Sequence, residues 1–411
     1  MNPWRSIVMA ALRRTKHGSI EFVEGDRVTE VGETGTQYRC RVTINSPKVW
    51  RQLLRGSTGL AHSYSEGYWD CDEMLTLTQI AGFNVDRFDR LKSRFAFVMR
   101  PAQRLTRMRP DNKRSRAREQ IAAHYDLGND MFEMFLDSSM NYSSAVFEGS
   151  DQSLEEAQVN KMNRICDQLQ LGPDDHLLEI GTGWGGLAVH LARRSGCRIT
   201  TTTISAEQAA LARQRIDAAG LNESIAVLEV DYRDLTGTYD KLVSIEMIEA
   251  VGWKYFPTYF AKCSGLLKPN GAMLLQAITV VDEAYEIEKT SRNFTNSIIF
   301  PGGCLPSRAE IERCLGEFTD MREVWAENIG ADYADTLAEW RRRFVENEET
   351  IIEFGYDLEF RRMWQLYLTW AEGGFRVGRI QDYQMLLAKP GFVAGRTGRG
   401  LAQEDDRQAV M

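Results

Sequence analysis

Glycines at alternate positions mark the segment of this sequence best suited to binding a reactive cofactor. Residues 179–186 read EIGTGWGG and lie between an apolar run and a helical pattern. Glycine allows a tight turn and lets the backbone approach a ligand closely. The segment satisfies the dinucleotide pattern GxGxxG and also the acid-x-GxGxG pattern usual in methyltransferases. The second pattern uses Glu179, Gly181, Gly183 and Gly185.

The residues around this loop decide between the two cofactor classes. A dinucleotide-binding fold places an acidic residue about 20 positions further on, where it binds the ribose hydroxyls. Here the second predicted strand ends in TTTIS at 201–205, and no acid follows before Glu207. The third strand ends in DYRD at 231–234, a polar and aromatic group suited to an adenine. These features favour S-adenosylmethionine as the cofactor; a purely structural glycine turn is the remaining alternative.

The elements that must position the loop alternate between strands and helices. Strands are predicted at 177–180, 198–203, 225–230, 241–245 and 272–277, with a turn at 268–271 before the last of them. Amphipathic stretches at 187–194, 206–219 and 255–267 predict helices between the strands. This order is typical of a Rossmann-like α/β domain with a doubly wound, mostly parallel sheet, whose ligand lies at the carboxyl ends of the strands. We predict a class I methyltransferase fold over residues 124–390.

The rest of the chain divides into three parts. Residues 1–100 mix alternating and helical stretches, which predicts a smaller amino-terminal α+β domain. Residues 101–123 form an arginine-rich connector, which is either a solvated linker or a contact for anionic lipid headgroups. Residues 391–411 are expected to form a mobile tail.

Composition excludes several classes of function. The net charge of −8 argues against nucleic-acid binding, because phosphate contacts require a positive surface. The seven cysteines contain no CxxC pair, so neither a metal site nor a disulfide framework is expected, and a reducing cytoplasm is the natural location. No apolar run reaches the roughly 18 residues of a membrane-spanning helix. Any membrane contact is therefore expected to be peripheral, at the inner face.

Several motifs, taken in order, resemble the cyclopropane-fatty-acyl-phospholipid synthase family. They read HYDLGND at 124–130, MNYSSAVF at 140–147, EMIEAVG at 246–252, FPGG at 300–303 and NIGADY at 328–333. The resemblance covers essentially all of residues 120–388. GSTGLA at 56–61 and YSEGYWD at 64–70 are similar to the small amino-terminal domain of bacterial members, which in this family can also support a homodimer.

The resemblance implies a substrate and a mechanism. Family members transfer the methyl group of S-adenosylmethionine to the cis double bond of an unsaturated phospholipid acyl chain, and the resulting cation loses a proton and closes to a cyclopropane. An alkene is a weak nucleophile, so orientation and exclusion of water must contribute most of the rate. Aromatic faces stabilise a cation, which would give Tyr125, Tyr142 and Tyr333 a chemical role; ordinary core packing is the alternative for each.

The resemblance also assigns site residues. The implied cofactor contacts are Tyr142, Ser143, Glu179, Gly181, Gly183, Gly185, Thr203, Gln208, Tyr232 and Arg233. Glu249, the backbone of Ile278 and Tyr333 match positions that hold a bicarbonate ion, the proton acceptor of the family. Glu249 would orient the bicarbonate through a shared proton. The alternative for Glu249 is a carboxylate at the start of a helix.

Three positions depart from the bacterial pattern. Ser144 replaces a cysteine, while Ala250 and Gln276 replace histidines. Ser144 and Gln276 can still donate hydrogen bonds to an anion, whereas the Ala250 side chain cannot. These changes bear on ring closure more than on methyl transfer. A methyl- or methylene-branched product formed from the same cation is therefore the first alternative. A silent lipid-binding subunit and a small-molecule N- or O-methyltransferase are the others.

An acyl chain needs an apolar tunnel to reach the site. Residues 363–370 read MWQLYLTW, an aromatic-rich stretch that could line such a tunnel. The same pattern is also typical of a buried helix.

Overall fold

The computed structural model describes residues 2–85, 87 and 128–393. The basic connector, Tyr125 and the tail beyond residue 393 lie outside these residues. The described chain forms two β-sheets, one of four strands and one of seven.

The four-stranded amino-terminal sheet has the order β2-β1-β3-β4. Its strands are β1 (Ser19–Glu24), β2 (Arg27–Gly32), β3 (Arg39–Ile44) and β4 (Trp69–Cys71), and its helices are α1 (Pro3–Leu12), α2 (Val49–Leu53) and α3 (Ser57–Ser65). Residues 74–85 are also helical. β3 alternates buried and exposed positions, so that Cys40 and Val42 point into an apolar core while the arginines between them face outward.

The seven-stranded sheet has the order β10-β11-β9-β8-β5-β6-β7. Its strands are β5 (His176–Ile180), β6 (Arg198–Thr202), β7 (Ile225–Leu228), β8 (Tyr239–Ile245), β9 (Leu267–Val280), β10 (Arg322–Asn328) and β11 (Ile380–Ala388). The five strands β5 to β9 are mutually parallel, and β11 runs antiparallel to both β9 and β10. The predicted α/β class with a mostly parallel sheet is confirmed.

Helices cover both faces of the large sheet and lie beyond its edges. They are α4 (Asn129–Glu133), α5 (Leu154–Leu169), α6 (Gly186–Ser195), α7 (Ala206–Ala218), α8 (Phe256–Leu266), α9 (Asp282–Glu288), α10 (Arg308–Phe318), α11 (Gly330–Glu346), α12 (Glu348–Glu353) and α13 (Leu358–Arg376). α5 begins with a capping box, in which Ser153 and Glu156 each bond the other's backbone N–H. The three helices predicted from amphipathic spacing are α6, α7 and α8.

The structure differs from the sequence prediction at the start of β9. The turn predicted at 268–271 is part of that strand, and the register with β8 shifts opposite it, between Tyr239 and Lys241. A Cβ on Gly271 would lie only 2.9 Å from the Asp240 carbonyl oxygen, so glycine permits the close approach of the two strands. The antiparallel edge formed by β10 and β11 was not predicted from the sequence.

α13 joins the two sheets. The Arg362 guanidinium donates to the main-chain oxygens of Tyr64 at 2.7 Å and Trp69 at 2.9 Å, and to the Asp70 carboxylate at 2.7 Å. Two turns further along α13, Thr78 Oγ1 donates to the Thr369 carbonyl at 3.2 Å. Within the described ranges, no helix combines the length and the apolar character needed to cross a membrane.

Candidate active site

The glycine loop connects β5 to α6 at the carboxyl edge of the large sheet. Gly181, Gly183 and Gly185 have φ values of 105°, 51° and 86°, in the left-handed region that glycine adopts without steric strain. A Cβ on Gly186 would lie 2.2 Å from the Ser139 carbonyl oxygen, so this position has no room for a side chain. The loop therefore presents bare backbone to a large cavity.

Among the residues predicted to contact the cofactor, two have a buried polar atom that lacks a hydrogen-bond partner within the described residues, and both residues line this cavity. These atoms are Glu179 Oε2, near the end of β5, and the Tyr232 hydroxyl, which follows β7. Burial raises the pKa of Glu179 to about 8, and burial also raises the pKa of Tyr232. Because buried polar groups are normally hydrogen-bonded, these two atoms fit contacts to a polar ligand. Together with the glycine loop, they fit S-adenosylmethionine.

Other predicted cofactor contacts line the same cavity. Thr203 Oγ1 donates to Gln208 Oε1 at 2.9 Å, which fixes both side chains at the end of β6. Arg233 forms an ion pair with Asp231 at 2.6 Å, so its guanidinium is held beside the Tyr232 ring. This part of the cavity offers the polar and aromatic surface predicted for an adenine.

Tyr142 and Ser143 form the opposite wall. The Tyr142 hydroxyl lies 2.9 Å from the Tyr367 hydroxyl. Ser143 Oγ accepts a hydrogen bond from Lys161 Nζ at 2.7 Å. Lys161 is only 1% exposed, and burial lowers its pKa to about 8 although nearby carboxylates oppose the shift. A lysine ammonium is thus enclosed in the protein directly beneath the predicted cofactor contact.

Glu246 is the centre of a hydrogen-bonded cluster. Its Oε1 accepts from the Ser144 backbone N–H and from Gln276 Nε2, both at 2.8 Å. Its Oε2 accepts from the Tyr333 hydroxyl at 2.6 Å. The residue has a φ of 48°, a left-handed conformation that is uncommon outside glycine and concentrated at functional sites. Burial raises the pKa of Glu246, while these donors and the Lys161 charge oppose the shift.

Glu249 lies one short turn after Glu246. Its Oε1 accepts from the Ile278 backbone N–H at 2.6 Å. Its Oε2 is buried and has no partner among the described residues. Burial and the neighbouring Glu246 charge raise the pKa of Glu249 to about 8. Glu249 lies in the short helical turn Ile248–Ala250, as its alternative interpretation requires, and its side chain also bonds to β9.

Gln276 connects two carboxyl groups. Its Nε2 donates to Glu246 and also to Asp382 Oδ2 at 3.0 Å, and its Oε1 accepts from Gln384 Nε2 at 3.0 Å. Gln276, Asp382 and Gln384 are fully buried. Burial and the charges of Glu246 and Glu249 raise the pKa of Asp382 well above its usual range. A protonated Asp382 would leave the Glu246 carboxylate as the ionised member of the pair.

Aromatic and aliphatic side chains enclose the cavity beside this cluster. Tyr333 stacks on Phe375 with ring centroids 4.5 Å apart. Residues 363–370, predicted as a tunnel wall or a buried helix, serve as both. Leu366, Tyr367 and Trp370 line the cavity, whereas Trp364 and Leu368 are buried in the core.

Most predicted site residues line one cavity of about 2120 Å³. The predicted residues that line it are Tyr142, Ser143, Glu179, Gly181, Gly183, Thr203, Gln208, Tyr232, Arg233, Glu249, Ile278 and Tyr333. Ser144, Gln276 and Gly185 do not line it, although the first two contact Glu246, which does.

Sequence reasoning missed three charged residues of the site, Glu246, Lys161 and Asp382. For Glu246 a signal was present, because it directly follows a predicted strand and lies three positions before Glu249. For Lys161 and Asp382 there was none, since each lies in an ordinary amphipathic or apolar run.

Comparison with known proteins identifies the family. A sequence model of the family described as "Mycolic acid cyclopropane synthetase" matches residues 112–385. Tuberculostearic acid methyltransferase UfaA1 of Mycobacterium tuberculosis is 40% identical over 345 residues, covering 82% of this chain and 80% of that protein. Cyclopropane-fatty-acyl-phospholipid synthase of Escherichia coli is 37% identical over 355 residues, covering 85% and 87%.

A solved structure agrees with this match. Mycolic acid cyclopropane synthase CmaA1, crystallised with SAH and CTAB, has a TM-score of 0.62 and 28% identity. That alignment covers 69% of this chain and 99% of CmaA1. These matches, with which the glycine loop agrees, show that the chain belongs to the mycolic acid cyclopropane synthetase family and is an S-adenosylmethionine-dependent methyltransferase.

Proposed function

We propose that the protein transfers the methyl group of S-adenosylmethionine to the cis double bond of an unsaturated phospholipid acyl chain. The observation that carries this proposal is a cavity lined by the glycine loop, by aromatic and aliphatic side chains, and by Glu246 and Tyr333. Its volume of about 2120 Å³ exceeds the roughly 300–1,000 Å³ of ordinary ligand pockets. It can therefore hold a cofactor and a long acyl chain together.

In this proposal, different residues of the chain bind the cofactor and surround the reacting acyl chain. S-adenosylmethionine, when bound, supplies an electrophilic methyl group. Glu179 Oε2 and the Tyr232 hydroxyl provide free hydrogen-bonding capacity at the cofactor side. Tyr142, Tyr333 and Tyr367 present aromatic groups to the same cavity. Such faces attract the positive charge that develops on the acyl chain and exclude water from it.

The family resemblance favours a cyclopropane as the product. A second candidate, a methyl- or methylene-branched chain, is supported by one specific observation. The carboxylate of Glu246 occupies donors that the resemblance assigned to a free anion, so the proton acceptor near the cation is arranged differently. The relative that is 40% identical is named a methyltransferase, which agrees with this candidate.

The amino-terminal part of the chain also contributes to the cavity. Amino-terminal residues, including Val8, Phe22, Leu60 and Met74, line it together with residues of the large sheet. We therefore propose that residues 1–100 help to hold lipid. We also propose that the connector at 101–123 contacts anionic membrane lipid.

The decisive experiment incubates the protein with S-adenosylmethionine and vesicles of unsaturated phospholipid, and examines the released fatty acids by proton NMR. Mass alone cannot separate the two candidates, because ring closure and methylene formation add the same atoms. Upfield ring-methylene signals identify a cyclopropane, and vinylidene or branched-methyl signals identify a branched chain. Vesicles of saturated phospholipid are the control and should yield nothing. No product from either lipid contradicts the proposal and favours a silent lipid-binding subunit.

A further inference from the structure

The two donors that the family resemblance assigned to bicarbonate, the Tyr333 hydroxyl and the Ile278 backbone N–H, already donate to carboxylates of the chain. The Ser144 backbone N–H, the Gln276 amide and the Tyr333 hydroxyl all donate to Glu246. The Ile278 backbone N–H donates to Glu249. Each of these donors already has a carboxylate acceptor. Among these groups, only a protonated Glu249, whose Oε2 has no partner among the described residues, could still donate a hydrogen bond to a bicarbonate ion.

We propose that the Glu246 carboxylate is the proton acceptor of the reaction, fixed in the chain in place of a free bicarbonate ion. The inference rests on the methyl transfer proposed above. After transfer, the acyl cation loses a proton to Glu246. The C–H electron pair closes the ring or forms a C=C bond, and Glu246 becomes a carboxylic acid that later releases the proton to water.

The hydrogen bonds leave Glu246 free to act as a base. A carboxylate has about four acceptor positions on its two oxygens. Oε1 uses both of its positions, on Ser144 and Gln276, and Oε2 uses one, on Tyr333. One position remains on Oε2, and Glu246 lines the cavity where the acyl chain is proposed to lie. Its left-handed φ and its backbone N–H bond to the Gln276 carbonyl at 2.9 Å hold it there.

Charged and hydrogen-bonding groups from several neighbouring elements surround Glu246. Lys161 on α5 brings a positive charge, and Tyr333 on α11 donates a hydrogen bond. Glu249 and Asp382 bring carboxyl groups whose pKa values are raised. Burial favours the protonated form of both groups, whereas the Lys161 charge favours an ionised Glu246.

The first arm of the test uses the unmodified protein. Product formation is measured in buffer stripped of carbon dioxide and in the same buffer with added bicarbonate. We expect equal rates, because the base is part of the chain. A rate that falls on removing bicarbonate and returns on adding it would overturn the inference while leaving the proposed methyl transfer intact. No product in either buffer would contradict the proposed function and, with it, this inference.

The second arm creates a need for bicarbonate. Glu246→Gly suits the φ of 48° and frees the three donors. We expect activity without bicarbonate to fall by about 100- to 10,000-fold, the usual contribution of a general base. Added bicarbonate should restore part of it. Glu246→Gln should be equally slow but not rescued, because its amide still fills the space.

Controls separate catalysis from folding. Calorimetry should show that both variants bind S-adenosylmethionine as the unmodified protein does. Glu223→Gly, at an exposed turn, should keep full activity in both buffers. Full activity of Glu246→Gln would overturn the inference. If both Glu246 variants fail to fold, the rates of the unmodified protein with and without bicarbonate still decide whether the reaction needs a free bicarbonate ion.

Discussion

The Lys161 ammonium donates to Ser143 Oγ at 2.7 Å, at a position only 1% exposed. A buried lysine charge is unfavourable unless it is compensated. Here the nearby carboxylates of Glu246, Asp137 and Asp382 favour the charged form. Lys161 therefore links a predicted cofactor contact to the carboxyl cluster.

Replacing Lys161 by methionine keeps most of the side-chain volume and removes the charge. The Lys161 charge opposes the rise in the Glu246 pKa, so its loss should raise that pKa further. We expect the acidic limb of the pH dependence of kcat/KM to move to higher pH. Lys16→Met, at an exposed site, should leave the limb unchanged. If the acidic limb of Lys161→Met is not shifted, the Lys161 charge does not affect the pKa of the group that acts as the base.

Glu249 should make the fold less stable as the pH rises. Its pKa is raised from 4.5 to about 8 in the folded protein. The folded state therefore keeps a proton that the unfolded state releases, and the corresponding stability is lost as the pH rises through this interval. In Glu249→Gln, the fall in Tm between about pH 5 and about pH 8 should be smaller. Exposed Glu223→Gln is the control, and an identical fall in both variants would contradict the assignment.

Gln276→Leu should destabilise the protein more than Gln384→Leu. The first change removes a donor from two buried carboxyls, whereas the second removes a donor from one amide oxygen. A buried polar group left without its partner costs about 1–3 kcal/mol. Urea unfolding at one pH would measure both free energies. Equal losses would show that the Gln276 bridge adds nothing to the core.

Tyr232→Phe should weaken cofactor binding without lowering the Tm of the free protein. The Tyr232 hydroxyl is buried at the cavity and has no partner among the described residues, so its removal breaks no bond in the free state. A neutral hydrogen bond contributes about 0.5–1.5 kcal/mol, which corresponds to about a 2- to 12-fold change in the Kd of S-adenosylmethionine. Calorimetry would measure it. Tyr259→Phe should leave the Kd unchanged, because the Tyr259 hydroxyl is also buried without a partner among the described residues but Tyr259 does not line the cavity.

Reversing the charge of the connector at 101–123 should lower activity on vesicles of anionic phospholipid. Each cation near such a surface contributes about 1 kcal/mol of attraction. Activity on the same lipid dispersed in detergent should be spared. Equal losses in the two assays would contradict a membrane contact.

Much of the central fold could be predicted from local patterns. The strands β5 to β8 and the helices between them follow apolar runs and helical spacing that are complete within a few residues. The glycine loop could also be predicted from the sequence, because a backbone with positive φ values favours glycine at those positions. β10 and β11 were harder to predict, because the strands of an antiparallel edge do not alternate regularly with helices along the sequence.

The role of Glu246 could not be predicted in this way. Its partners Ser144, Tyr333 and Gln276 lie 102, 87 and 30 positions away in the sequence. Only the folded sheet brings these donors to one carboxylate. The substitutions at Ser144 and Gln276 were visible as departures from the family pattern. That a glutamate accepts their hydrogen bonds became visible only in three dimensions.

α13 has a consequence for how the two halves of the molecule respond to lipid. The helix that presents Tyr367 and Trp370 to the cavity also binds the amino-terminal main chain through Arg362. An acyl chain bound as proposed would contact the same helix that anchors the other sheet, and ordering of α13 on one side would order the anchor as well. By linkage, occupancy of the cavity and docking of the amino-terminal sheet must strengthen each other to the same degree. Lipid bound in the cavity would thus hold the two sheets together.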